Sequence, residues 1–93
     1  MREYELVFII QPDLEEAEVE EVISRVQGWI TDDGGKVGKT DLWGKRKLAY
    51  PIRKQTEGNY VLMIVSLAPT FGKELERNMR FYEPVMRYLL TAK

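Results

Sequence analysis

The order of apolar segments constrains the fold of this chain more than any other feature. Residues 6–10 and 60–65 are two continuously apolar, β-prone runs that are too short for helices, and each predicts a central strand buried on much of both faces. Each run is followed by a segment whose apolar residues recur at three- and four-residue steps, which is typical of an amphipathic helix. Strand-like stretches at residues 36–53 and 85–91 complete the set. The predicted element order is β-α-β-β-α-β.

Local signals predict where the two helices begin and end. Asp13 followed by Glu16 has the form of a capping box, and the Asp33-Gly34-Gly35 sequence ends the first helix. Its apolar stripe consists of Val19, Val22, Ile23, Val26, Trp29 and Ile30. Thr70 is expected to cap the second helix, which must end before Pro84. The stripe of this helix consists of Phe71, Leu75, Met79 and Tyr82.

The stretch between the two halves predicts a long, irregular strand and a turn. Val37 is apolar at an odd position, so a one-residue bulge is expected near Gly44. The residues that set the even phase are Leu42, Leu48, Tyr50 and Ile52. Residues 54–59, which include Gly58, are interpreted as the following turn.

These elements predict a single α+β domain spanning residues 1–93, because a chain of this length can bury one core. The order β-α-β-β-α-β is the ferredoxin-like arrangement. Right-handed crossovers then give a four-stranded antiparallel sheet of order 4-1-3-2 with two helices on one face. The second strand is therefore an edge strand.

The residue inventory narrows the function classes. The chain has no histidine and no cysteine, which excludes Ser-His-Asp and Cys-His chemistry, thiolate ligands and most zinc or iron sites. We therefore expect no enzymatic activity, cofactor or metal. Its charged start resembles no signal peptide, and its apolar runs are far below the roughly 20 residues needed to cross a bilayer.

A net charge of −1 conceals a strong asymmetry along the chain. Residues 1–35 carry −8, residues 36–54 carry +6, and residues 55–93 carry +1. The positive segment centres on residues 44–54, with the sequence GKRKLAYPIRK. Lysine as a point charge and arginine as a fork can both bind RNA phosphates. Protection of an edge strand against aggregation is the alternative interpretation of the same cations.

The spacing within this basic segment resembles that of a known family, the bacterial small-subunit ribosomal protein S6 family. The signature is a glycine and basic residues followed by Leu-Ala-Tyr-x-Ile, and it is carried here by Gly44, Arg46, Lys47, Leu48, Ala49, Tyr50 and Ile52. Weaker matches cover nearly the whole chain and comprise Arg2-x-Tyr4-Glu5, Pro12, Gly58-Asn59-Tyr60 and Val85-Met86-Arg87-Tyr88.

The resemblance implies a non-enzymatic structural component of the small ribosomal subunit in the cytoplasm. It further implies binding to 16S ribosomal RNA in the central domain, or platform, and pairing with ribosomal protein S18 as a heterodimer. By family analogy the RNA-binding residues are Arg2, Lys45, Arg53, Lys54 and Arg87. The protein-partner residues are Asp41, Leu42, Arg46 and Lys47.

Other interpretations remain open at this point. An ACT-like regulatory domain shares the topology, but residues 11–13 lack the glycine that its ligand loop uses. An acylphosphatase-like enzyme would need a glycine-rich phosphate loop that is also missing. The aromatic residues Tyr4, Phe8, Tyr50 and Tyr60 could stack on bases or pack within the sheet. The glutamates at positions 15, 16, 20 and 21 are expected to form a solvated helix face rather than a metal site.

Overall fold

A computed structural model describes all residues, 1–93, as a sheet of four strands with two helices. In chain order the elements are β1 (Arg2–Ile10), α1 (Glu16–Asp32), β2 (Lys36–Ile52), β3 (Gln55–Leu67), α2 (Phe71–Arg80) and β4 (Val85–Ala92). Every strand pair is antiparallel and the strand order is β2-β3-β1-β4. The predicted fold class and strand order are confirmed, with β1 and β3 in the centre and β2 on one edge. Neither helix is long and apolar enough to cross a membrane.

The hydrophobic core lies between the helices and one face of the sheet. Alternate residues of β1, Leu6, Phe8 and Ile10, are fully buried there, as are Val26 and Ile30 of α1. The core cluster holds 15 buried residues drawn from all elements except β2, which contributes only partly buried Val37 to its margin. The predicted stripes on both helices face this core, so helix periodicity correctly identified the buried side of each.

The first helix begins two residues later than predicted. Its capping box uses Glu15 and Glu18, not Asp13 and Glu16, and the Glu15 backbone N–H donates to the Glu18 carboxylate at 3.1 Å. The shift arises because residues 11–14 belong to the loop that ties β1 to the start of β4, where the Gln11 N–H donates to the Pro84 carbonyl at 3.0 Å. Thr70 occupies the N-cap position of α2 as predicted, but its side chain makes no capping hydrogen bond.

The connection between β2 and β3 is much tighter than the turn predicted at residues 54–59. Only Arg53 and Lys54 lie outside the strands, and both have left-handed backbone conformations, with φ of 51° and 65°. Such a two-residue hairpin needs positive φ and matches the twist of its strands. Gly58 therefore lies inside β3 and is buried, where a Cβ atom would overlap Cγ2 of Ile9. Strand pairing, not turn chemistry, accounts for this glycine.

The long edge strand β2 is irregular, as its change of phase predicted. Its register against β3 shifts between Leu42 and Gly44, and Gly44 has a φ of 84°, which confirms the bulge. A second shift lies between Val37 and Lys39. The bulge at Gly44 turns the side chain of Trp43 toward the sheet face that the helices do not cover, where it stacks on Tyr60.

That uncovered surface, called here the open face, departs from the sequence prediction. The central strands were expected to be buried on much of both faces, yet Val7, Leu62 and Ile64 are only partly buried. Leu89 of β4, the partner of Val7 in the sheet, is 64% exposed. Both helices pack on the opposite side, so no layer of this chain shields these residues.

Candidate nucleic-acid interface

The basic segment forms the far end of the β2–β3 hairpin, called here the distal hairpin (residues 45–57). Lys45 and Lys47 lie opposite Asn59 and Glu57, with side chains on the helix side of the sheet, whereas Arg46 lies opposite Gly58 on the open face. The cations therefore project from both sides of the strand, as predicted. The two ion pairs of the molecule, Lys39–Asp41 and Lys93–Glu3, lie outside the distal hairpin, so none of its five cations is ion-paired.

At the tip of the distal hairpin, Arg53 is fixed in place by backbone carbonyls. Its Nη1 donates to the carbonyl oxygen of Glu83 at 2.8 Å, and its Nη2 donates to that of Val85 at 3.1 Å. The adjacent Lys54 is exposed and makes no ion pair. The guanidinium of Arg53 thus joins the hairpin to the loop before β4. Its remaining N–H groups are available to donate to a ligand.

Arg87 of β4 is held by the same hairpin. Its guanidinium donates a hydrogen bond to the hydroxyl of Tyr50 and lies 5.4 Å from the centre of that ring. The predicted RNA residues Arg53 and Arg87 are therefore both engaged within the protein, whereas Lys45 and Lys54 point to solvent. The structure brings these four residues to one end of the sheet.

Arg2 lies at the other end. It pairs with Leu67, eight residues along β1 from the pair formed by Ile10 and Asn59 beside the hairpin. At about 3.4 Å per residue the separation along the strand is about 27 Å. Arg2 is therefore not part of the hairpin cluster.

The predicted protein-partner residues divide between the two sides of β2. Asp41 and Arg46 lie on the open face, and Leu42 and Lys47 on the helix side. The Arg46 guanidinium lies 5.6 Å from the ring of Trp43, which in turn stacks on Tyr60 with a centroid distance of 6.4 Å. A cation over an aromatic face is stabilised by about 0.5–1 kcal/mol at exposed sites.

An apolar stripe that was not predicted from the sequence crosses the open face and consists of Val7, Leu62, Ile64 and Leu89. Val7 of β1 lies opposite Leu62 of β3 on one side and opposite Leu89 of β4 on the other. Beside them lies a shallow groove of about 350 Å³ that includes Ile9. A signal for this stripe was present in the sequence, because strands apolar on both faces need a second covering layer that two helices on one side cannot supply.

The remaining candidates have structural explanations. Phe8 is fully buried and Tyr4 packs against the core, so neither presents a ring for base stacking. Tyr60 is covered on one side by Trp43. No group of three or more acidic side chains is arranged to hold a metal ion. The glutamates of α1 at positions 16, 20 and 21 are exposed, as expected for a solvated helix face.

Comparison with known proteins places this architecture in a family. The family model described as "Ribosomal protein S6" matches residues 3–92. The chain is similar to small ribosomal subunit protein bS6 of Caldanaerobacter subterraneus subsp. tengcongensis, with 47% identity covering 97% of this chain and 95% of that protein. Its similarity to bS6 of Moorella thermoacetica is 45% identity, covering 98% and 93% respectively.

A solved structure agrees with the sequence relationship. The crystal structure of 30S ribosomal protein S6 from Thermotoga maritima superposes with a TM-score of 0.93 at 33% identity, covering 99% of this chain and 87% of that one. The resemblance seen in the basic hairpin therefore extends over the whole fold. The chain belongs to the ribosomal protein S6 family and is a structural component of the small ribosomal subunit in the cytoplasm, not an enzyme.

Proposed function

We propose that this chain binds 16S ribosomal RNA in the central domain, or platform, of the small subunit, and does so as a heterodimer with ribosomal protein S18. The observation that carries the RNA half of the proposal is the unpaired positive charge of the distal hairpin. The distal hairpin carries +4, from five cations and Glu57, and none of its residues forms an ion pair.

The placement of these cations suits a phosphate backbone. Lys45 is exposed and projects from the helix side of β2. Lys54 extends from the tip, and the fixed fork of Arg53 keeps the tip in one position. A tip whose backbone is held in place presents its charges to phosphates with less loss of conformational entropy than a mobile loop would. Arg2, some distance away, would bind a separate segment of the RNA.

The partner half of the proposal rests on the edge of β2 and the open face beside it. Asp41 and Arg46 flank the apolar stripe of Val7 and Leu62, which no part of this chain covers. Stable protein interfaces combine an apolar centre with a charged rim that sets specificity. We infer that S18 docks here, contacting Asp41, Leu42, Arg46 and Lys47.

The RNA surface is tested by the salt dependence of binding to a 16S central-domain fragment in the presence of S18. Lys45→Ala should weaken binding and reduce the slope of log affinity against log salt by about 0.7–0.9, since one phosphate contact is lost. Adding Lys54→Ala should reduce the slope by a similar further amount.

Lys36→Ala is the matched control, because Lys36 is also an exposed, unpaired lysine of β2. It lies at the far end of the sheet from the hairpin, on the open face, whereas Arg2 at that end is on the helix side. This variant should leave both affinity and slope unchanged. If the Lys45 variant and the unchanged protein have equal slopes of log affinity against log salt, the hairpin is not the RNA-binding surface.

The partner surface is tested by replacing the charges of β2 with neutral apolar residues. Asp41→Leu, Arg46→Leu and Lys47→Leu together should increase self-association and reduce pairing with S18, because the charges oppose edge-to-edge pairing and match the partner. Sedimentation velocity measures both. A control triple on the exposed side of α1, Glu16→Leu, Glu20→Leu and Arg25→Leu, should pair normally. If the β2 variant also pairs normally with S18, β2 is not part of the protein interface.

A further inference from the structure

A groove beside the distal hairpin joins two of the predicted RNA residues to a third arginine, Arg80, that was not assigned from the sequence. A groove of about 280 Å³ between the hairpin tip and the end of α2 is lined by the three arginines Arg53, Arg80 and Arg87. Its apolar lining comes from the core edge, including Met79 and Val85. None of the three arginines forms an ion pair. This arginine groove therefore concentrates positive charge without internal compensation.

The arginine groove is partly preorganised. The guanidinium of Arg53 is held by the carbonyls of Glu83 and Val85, which use two of its five N–H donors. Arg87 is restrained by Tyr50. Holding several guanidinium groups around one groove costs electrostatic repulsion, and an anion placed among them would relieve that cost. A phosphate matches the fork geometry of arginine in particular.

Arg80 also has a simpler role, because a cation in the last turn of a helix interacts favourably with the helix dipole. Arg77 occupies the same turn and could serve that purpose alone. The dipole does not explain why Arg80 lines a groove opposite a second, fixed guanidinium. Shared lining by α2, the hairpin and β4 is what distinguishes this position.

An exposed aromatic ring adjoins the arginine groove. Phe81 is 75% exposed, and together with Arg80, Arg77 and Lys73 it lines a neighbouring groove of about 430 Å³ that also includes Glu76. The fold does not depend on this ring, since the next residue, Tyr82, makes the contact with α1. A flat, solvent-facing ring beside cations is the arrangement on which proteins stack unpaired bases.

We propose that the arginine groove binds a backbone phosphate of RNA through Arg80 and Arg53, and that Phe81 stacks on an adjacent unpaired base. This inference rests on the proposed RNA-binding function and extends that surface from the hairpin across the end of α2. It assigns RNA-contacting roles to Arg80 and Phe81.

The cation and the ring give different signatures in one titration of the S18 heterodimer with a central-domain RNA fragment. Arg80→Gln should weaken binding about tenfold and reduce the log-log salt slope by about 0.7–0.9. Phe81→Ala should also weaken binding about tenfold but leave the slope unchanged, because stacking releases no counterions. Phe81→Tyr should restore binding, since the ring face is retained.

Lys36→Gln is the control for charge removal, and thermal unfolding of each variant checks the fold, which both exposed substitutions should leave intact. If Lys45→Ala changes the slope but Arg80→Gln changes neither slope nor affinity, the arginine groove is not an RNA site and the hairpin proposal stands. If Phe81→Ala binds as tightly as the unchanged protein, the stacking role is overturned. Absence of RNA binding by the unchanged heterodimer would overturn the proposed function and this inference together.

Discussion

The two faces of the sheet are built from the same strands and have opposite roles. On the helix side, Leu6 and Phe8 are fully buried and contribute to a continuous core. On the open face, their neighbour Val7 is only partly buried, and its partner Leu89 is largely exposed. Successive side chains of a strand point to opposite faces, so one residue separates core from surface. Apolar character alone therefore does not reveal which residues hold this fold together.

The open face is itself divided. Toward the hairpin, Ile9 and Met86 are buried because Gly58 has no side chain and lets them close over β3. Farther along, the apolar stripe remains uncovered. Stability thus comes from the helix side and from the hairpin end of the open face, while the uncovered stripe is available to a partner. Two pairs of substitutions test this division, and a third pair tests the backbone of the hairpin tip.

The largest difference is expected between two leucines on opposite faces. Leu6→Ala should lower the free energy of unfolding by about 2–5 kcal/mol, because it leaves a cavity in a closed core. Leu89→Ala should change it by less than about 0.5 kcal/mol, since that side chain is already exposed. Urea denaturation of both variants measures the contrast. Comparable losses would show that the open face contributes to the core.

Smaller changes in the free energy of unfolding, of opposite sign, are expected for alanine substitutions at two glycines. Gly58→Ala should destabilise by about 1–3 kcal/mol, because the new methyl group overlaps a branched side chain, that of Ile9, which cannot rotate away. Gly28→Ala should stabilise by about 0.5–1 kcal/mol, since it lies within α1 with no atom near its Cβ position. Thermal unfolding compares the two. A stable Gly58 variant would mean that this part of the open face is loosely packed.

The smallest effect is expected at the hairpin tip. Lys54→Gly should stabilise the protein by about 0.5–1 kcal/mol, because glycine adopts the left-handed conformation without the steric cost that lysine has there. The same change removes a proposed phosphate contact, so RNA binding should weaken while stability rises. Lys54→Ala separates the two effects, since it removes the charge and keeps the strain. A less stable glycine variant would contradict the backbone argument.

Most of the framework could be read from the sequence because it depends on local periodicity. The steps of three and four in α1 and α2, the apolar runs of β1 and β3, and the strand-like stretches of β2 and β4 predicted all six elements. Right-handed crossovers then gave the strand order. The phase change in β2 predicted the bulge at Gly44. The boundaries of the elements were less predictable. The turn was predicted at residues 54–59 because glycine is a common turn residue and Gly58 lies in this segment. The actual role of Gly58 depends on its contact with Ile9, which lies 49 residues earlier in the chain.

The sequence by itself determined the fold, the uneven charge and the resemblance to the S6 family, because side-chain periodicity and composition are properties of neighbouring residues. Only the tertiary structure decided which cations are free and which are engaged. Arg53 and Arg87 are each fixed by groups thirty or more residues away, and Arg80 joins them through the packing of α2 beside β4. Such clusters form when distant segments are brought together by burial of the core, and no local pattern records which surface side chains then become neighbours.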